Sequence, residues 1–329
     1  LIGRSFHLLN LILLTSILFV VLFVAGLYFW LNEDLPQLPK NLQHINLSLP
    51  TEIYSSDGER IKILGERHPI ALEDISPYFT KAIIGVEDSR LFRHSGIDHK
   101  GLVRALWTNL REKRIAQGGS TITQQLSKNL FFSFERNWVR KIKELLIAFQ
   151  LEVTFSKEQI LQAYCNQIYF GSGAYGVEEA AQVYFRKRAK DLTLFQAALL
   201  AGLPNSPNNA NPFSHYDRAM KRTNYVLNRM VSDNLISVNE KELALQSDID
   251  LVKPRVESNP NLYFVDQVLE QIEKDYGKEF VHFGGLKIVT TLDTRYQKLA
   301  YKSARNHLEA LEGRVVKERG AGPLQAALV

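Results

Sequence analysis

The chain has 329 residues, 45% hydrophobic and 23% charged, the balance of a globular protein with ample material for a buried core. Its 40 Lys and Arg against 35 Asp and Glu leave a net charge of +5, which favours anionic partners such as phosphates or an acidic membrane surface. The single cysteine, Cys165, excludes an internal disulfide, and without zinc-ligand spacing or an aromatic RNA-binding signature the composition argues against nucleic acid.

Leu8 to Trp30 is an uncharged run of 23 residues. As a helix it would measure roughly 35 Å, enough for a hydrocarbon core of about 30 Å. Tyr28 and Trp30 stand at its end, where interfacial aromatics belong. A signal-peptide core is shorter, which makes a cleaved signal the lesser reading despite the small Ala25-Gly26 pair, and the run has no polar face for a buried helix. With Arg4 before it and Glu33 and Asp34 after it, residues 1–7 read as a cytoplasmic tail and everything downstream as outside. Residues 31–50 carry prolines without periodicity and read as a stalk. Thr51 to Ile63 reads as a hairpin turning at Ser56-Asp57-Gly58.

From Ser76 to Arg229 the pattern is helical. Ser76 and Pro77 suit an N-cap and first helical position, and Tyr78, Phe79, Ala82, Ile83 and Val86 give an apolar stripe after them. Ser156 with Gln159 and Thr193 with Gln196 are spaced as capping boxes. Further helices are expected over Tyr216 to Met230, Ser237 to Leu245 and Phe264 to Tyr276. Gly285 to Leu292 then reads as a strand, and Asp293 as the N-cap of a helix running to about Leu311. Cys165 falls in a helical pattern as a buried small hydrophobe.

Three stretches could carry chemistry. Glu87 to Asp98 opens on two carboxylates and holds two Arg and a His within eight residues. Glu87 would end the first helix, where the negative end of the helix dipole disfavours a charged carboxylate and suits a proton acceptor working near neutrality. On this stretch alone a solvated, charged helix end is the stronger reading. In Gln117 to Asn129 two glycines precede Ser120 and Thr121, so that backbone N–H groups at a helix start could face an anion. Thr121 and Gln124 are spaced as a capping box, and P-loop spacing is missing. In Arg136 to Val153, Ile142, Leu145, Leu146, Phe149 and Val153 share one helical face. Arg140 and Glu144 lie opposite them, four residues apart and able to pair, although Leu151 falls between them in angle. Leu130 to Phe134 is an aromatic cluster beside a basic segment, suited either to a core or to insertion at a bilayer surface.

Together these stretches resemble family 51 glycosyltransferases, the peptidoglycan polymerases of class A penicillin-binding proteins and monofunctional transglycosylases. The matching residues fall in the family's order. They are Glu87-Asp88 with Arg90, His94, Gly96 and Asp98; Gly118 to Thr121 with Gln124, Gln125, Lys128 and Asn129; and Arg140-Lys141 with Glu144. Tyr164, Asn166, Tyr169-Phe170-Gly171, Gly173 and Tyr175 to Val177 follow, then Ala180-Ala181, Tyr184-Phe185 and Lys187, and last Leu199 to Pro204 with Pro207 and Asn211-Pro212. Three positions depart from the family's usual residues: Leu91 for Phe, Cys165 for Leu and Gln196 for Glu.

The resemblance implies a mainly α, lysozyme-like glycosyltransferase domain at 51–229 after one transmembrane helix at 8–30. A small mixed α/β linker region would follow at 230–319, and 320–329 would begin a transpeptidase domain. No Ser-x-x-Lys or Lys-Thr-Gly occurs in these 329 residues, so the chain is expected to be a piece cut before that second active site. The implied substrates are lipid II and the growing glycan strand. Membrane lipids and cell-wall assembly proteins are the expected partners, and the inner membrane, with the enzyme outside, the expected location. Glu87 and Glu144 are the implied catalytic carboxylates. Asp88, His94, Ser120, Thr121, Gln125, Lys128, Arg140 and Lys141 are the implied substrate contacts. A divalent cation, Mg²⁺ or Mn²⁺, is implied as well, with Glu144 its candidate ligand. Two other readings stay open: a lysozyme-like hydrolase using the same two carboxylates, and a non-catalytic scaffold.

Overall fold

The computed structural model describes residues 50–65, 67–112, 119–132, 138–252, 262–277, 281–282 and 284–319, with 11, 14–16, 18–19, 22, 26, 35–39 and 42 before them. The span expected at 8–30 lies mostly outside them, as do the tail, most of the stalk, and 320–329. Leu11, Leu14, Leu18, Phe19 and Leu22 are described there and exposed, and no helix among the described residues is long and apolar enough to cross a membrane.

The fold is mainly helical, with one small sheet. It divides into two compact units: residues 1–42 with 90–160, and residues 43–89 with 161–329.

In the second unit, β1 (Thr51–Tyr54) and β2 (Arg60–Leu64) form the expected hairpin, Thr51 facing Leu64 and Tyr54 facing Arg60. A third strand joins them. β3 (Lys287–Val289) lies parallel to β1, Ile288 beside Ile53, giving the order β2-β1-β3. This strand is shorter than the eight residues expected, although Thr290 N–H still donates to the Tyr54 carbonyl at 2.8 Å. Ile53 and Leu64 are buried against Val265, Leu269 and Val281, so the hairpin shares a core with the segment assigned to the linker.

The helices of that unit are α1 (Pro77–Glu87), α6 (Val177–Phe185), α7 (Leu194–Gly202), α8 (Tyr216–Ser232), α9 (Val238–Gln246), α10 (Leu262–Tyr276) and α11 (Thr294–Arg319). Every residue of α7 is buried, and α1 packs on α7 and α8 through Phe79, Ala82 and Ile83. At Gly85 a Cβ would stand 3.1 Å from Leu235, just past α8, and 3.9 Å from Met230 on it. Ser76 precedes α1 as expected but does not cap it, because its hydroxyl donates to the Leu192 carbonyl at 3.0 Å instead.

The first unit holds α2 (His99–Glu112), α3 (Ile122–Phe131) and α4 (Trp138–Thr154); α5 (Lys157–Gln167) begins in it. Two of the three expected capping boxes form, Ser156 with Gln159 and Thr193 with Gln196.

One expectation is reversed. On α4 the buried face is Glu144, Ile147, Ala148 and Leu151, whereas Ile142, Phe149 and Val153 of the predicted apolar face are exposed, Val153 at 72%. A carboxylate can be buried there because its own helix supplies the opposing charges.

Candidate functional site

In the second unit, α1 delivers Glu87 as its last residue. Asp88 leaves the helix at φ −157° while its N–H still donates to the Ile84 carbonyl at 2.9 Å. Glu87 is half-buried and Asp88 buried. Tyr164 lies fully buried in the field of both carboxylates: burial first, then Glu87, pushes its hydroxyl well above the ordinary tyrosine range. Two residues on, Asn166 accepts from Ile70 N–H at 3.2 Å and donates to the Ile70 carbonyl at 2.8 Å. That clamps the segment entering α1 to α5. Gly176, at φ +81°, approaches so closely that a Cβ would meet the Asn166 carbonyl at 2.8 Å.

The remaining site residues belong to the first unit. Arg90 pairs with the buried Asp98 at 3.6 Å. The Asp98 carboxylate fills the space a Cβ would take at Gly101. His94 ends the single turn Leu91–Arg93 in extended conformation and is half-buried, and Leu91 is fully buried. The Gly96 carbonyl then receives two bonds from the start of α3, from Thr121 Oγ1 at 2.7 Å and Gln124 Nε2 at 3.0 Å. Thr121 caps α3 by accepting from Gln124 N–H at 3.2 Å. The expected capping box is therefore only half made, because the Gln124 side chain goes to Gly96. Ser120 is exposed beside this helix start, and Gln125 and Lys128 are half-buried on α3. Gly118 lies outside the described residues.

Glu144 is 2% exposed and holds both cations of its motif, Arg140 Nη1 at 2.5 Å on one oxygen and Lys141 Nζ at 3.1 Å on the other. Ser127 Oγ donates to the Glu144 backbone carbonyl at 3.0 Å, which brings α3 against this turn of α4. The structure thus gathers the second and third motifs, with the turn at Gly96, into one cluster.

The donor set does not fit a divalent cation held by Glu144. Both its oxygens already serve cations, and no three His, Cys, Asp or Glu side chains among the described residues gather as a metal site.

Sequence reasoning missed Glu152. This carboxylate, 5% exposed, accepts from Thr123 Oγ1 at 2.5 Å and pairs with Lys157 at 2.7 Å. The readable signal was the four-residue spacing of Thr123 and Ser127 on α3 against Glu144, Ala148 and Glu152 on α4.

Two cations paired to one buried carboxylate on α4, packed against α3 at Ser127, form an arrangement with which an anionic group is chemically compatible. A family model described as Transglycosylase matches residues 57–231, and the chain belongs to that family. Penicillin-binding protein 1A of Aquifex aeolicus is 43% identical over 294 residues, 88% of this chain and 40% of that protein. Penicillin-binding protein 1A of Vibrio cholerae is 38% identical over 305 residues, 92% of this chain and 37% of that protein. The chain therefore spans about two fifths of the length of these relatives. A crystal structure of penicillin-binding protein 1A from Haemophilus influenzae aligns with 80% of this chain and 30% of that one, at 27% identity and a TM-score of 0.43.

Proposed function

We propose that the chain is a peptidoglycan glycosyltransferase with a lysozyme-like domain, polymerising lipid II into glycan strands at the outer face of the inner membrane. The observation that carries this reading is the Arg140–Glu144–Lys141 cluster, held against α3 by Ser127, the neighbour of Lys128. A hydrolase has no use for such a cluster, because only a transferase of this class must neutralise a departing pyrophosphate.

In the reaction, Glu87 takes the proton from the 4-hydroxyl of the acceptor GlcNAc. The freed oxygen pair attacks the anomeric carbon of the lipid-linked MurNAc from the opposite side. The bond to pyrophosphate breaks, the leaving oxygen keeps the electron pair, and the configuration inverts from α to β. General-base assistance contributes on the order of 10²–10⁴-fold. Lys128, Arg140 and Lys141, with the N–H groups at Ser120 and Thr121, receive the charge of the leaving group. Glu144 orients those cations. Asp88, His94 and Gln125 contact substrate. No step is routed through a metal ion.

A single N-terminal span at 8–30 anchors the enzyme, and membrane lipids and cell-wall assembly proteins are its partners. The exposed Val103, Trp107 and Leu110 of α2, beside Arg104 and Arg111, support contact with an anionic bilayer surface, as do Trp138, Phe149 and Val153 of α4.

Incubation with purified lipid II tests the reading. Long glycan strands are expected, and Glu87→Gln should abolish them while lipid II binding persists. Cleavage of preformed glycan without synthesis would instead establish the hydrolase. Full cell-wall function of the Glu87→Gln protein in vivo would establish the scaffold.

A further inference from the structure

Three elements of the first unit meet at one buried carboxylate. Glu152, near the end of α4, lies two turns beyond Glu144 on the same helical face, with Ala148 between them. Its Oε1 accepts from Thr123 Oγ1, one residue into α3, and Thr123 is itself fully buried. Its charge is balanced by Lys157 at the start of α5, which approaches both oxygens, at 2.8 and 2.7 Å. Its Cγ lies beneath Gly96, where an added Cβ would stand 3.2 Å away and 3.4 Å from the Ala148 carbonyl. Gly96, at φ +87°, is thus wedged between the α4 surface below and the Thr121 and Gln124 donors that take its carbonyl.

These contacts fix how far α3 can slide along α4. α3 is tied at two places one turn apart, Thr123 to Glu152 and Ser127 to the Glu144 carbonyl, so the helices run in opposite directions with a set register. A shift of one turn, about 5.4 Å, would carry Lys128, next to Ser127, away from the turn of α4 that holds Glu144 with Arg140 and Lys141. Ser127 alone cannot hold that register, because a hydroxyl can exchange one backbone carbonyl for another along the helix. Glu152 can, because its partners are two specific side chains on two different elements.

We propose that Glu152 is a positioning residue for diphosphate binding: through Thr123 and Lys157 it sets α3 against α4 so that Lys128 stands with Arg140 and Lys141 on one anion. This rests on the reading of that cluster as the pyrophosphate site, and it assigns Glu152 no contact with substrate.

The test compares the full chain with Glu152→Gln and Glu152→Asp. The glutamine keeps an acceptor for Thr123 but removes the charge that holds Lys157. The aspartate keeps the charge but is one methylene too short to reach α3. Inorganic pyrophosphate binding, by calorimetry, is read first, with melting temperature beside it. Both variants should bind pyrophosphate about tenfold more weakly, because a misplaced cation set loses its convergence while each helix stays folded. With lipid II the loss should appear in kcat/KM, because the same cations hold the diphosphate in the bound substrate and take its charge as it leaves.

Unchanged pyrophosphate affinity in both variants would overturn the proposal, as would a wild-type chain that binds no pyrophosphate. So would a loss explained wholly by a smaller folded fraction, with native affinity in what remains folded. If the variants weaken pyrophosphate binding but the wild type makes no glycan from lipid II, the transferase reading fails and the positioning role stands.

Discussion

Glu144 holds Arg140 on one carboxylate oxygen and Lys141 on the other, from a position only 2% exposed. The carboxylate therefore cannot also serve as a second acid or base without releasing a cation, and in the proposed reaction its part is to aim the two cations. Glu144→Gln should leave the guanidinium and ammonium without a charged anchor. Polymerisation should fall on the order of 10²-fold, as when one preorganised transition-state donor is lost. Stability should fall by about 1–3 kcal/mol, less than for a fully buried pair because Lys141 is 42% exposed. Wild-type rates from the variant would remove Glu144 from the reaction.

Cys165 makes no disulfide and lies fully buried in α5, where burial pushes its thiol up to about 12. At about pH 8 the native protein then holds a thiolate fraction on the order of 10⁻⁴ and no route for a reagent. A thiol-specific reagent should leave native protein unmodified and label it in denaturant, with the same midpoint as unfolding followed by circular dichroism. Rapid labelling of native protein at that pH would show that Cys165 is not the buried small hydrophobe its helical position suggests.

Local chemistry was legible in the sequence where one residue decides it. Pro77 marked the start of α1, and Ser156 with Gln159 and Thr193 with Gln196 marked two more helix starts. Gly58 marked the hairpin turn at φ +85°. What stayed hidden depends on partners far along the chain. β3 pairs in parallel with β1, more than two hundred residues earlier, and no periodicity encodes that choice. The orientation of α4 was misread because counting apolar residues treats Glu144 as a solvated charge. Its burial is tolerable only because Arg140 and Lys141 stand one turn before it. Gln124 looked like half of a capping box, but the carbonyl of Gly96 competes for its amide, and that carbonyl is supplied by the tertiary fold.

Gln196 stands where the resemblance leads one to expect Glu, and its surroundings supply a reason. It completes the capping box with Thr193, and its Nε2 also donates to the Ile249 carbonyl at 3.3 Å, all within a fully buried position. A carboxylate could keep the first role but not the second, since it has no proton to give a carbonyl. Gln196→Glu should therefore cost about 1–3 kcal/mol, the penalty of a buried acceptor left facing another acceptor. Urea unfolding at neutral pH reads this directly, and an unchanged or raised midpoint would contradict it.

Asp57 joins the hairpin turn to the start of α11: it accepts from Thr294 N–H at 3.2 Å and from Thr294 Oγ1 at 2.7 Å. The Ser55 hydroxyl first, then Thr294, holds the Asp57 carboxyl well below the usual carboxylate range. A folded-state value below the unfolded one means the carboxylate stabilises the fold fully above the unfolded value of about 4. That contribution is lost as pH falls through the unfolded value towards the folded one. Asp57→Asn keeps an acceptor but removes the titration. The stability gap between wild type and variant should therefore stay level between about pH 5 and 8 and close as the solution is acidified below about pH 4. Chemical denaturation across that range measures the gap. A difference that stays constant down to about pH 2 would mean that the ionised carboxylate of Asp57 is not what ties the hairpin turn to α11.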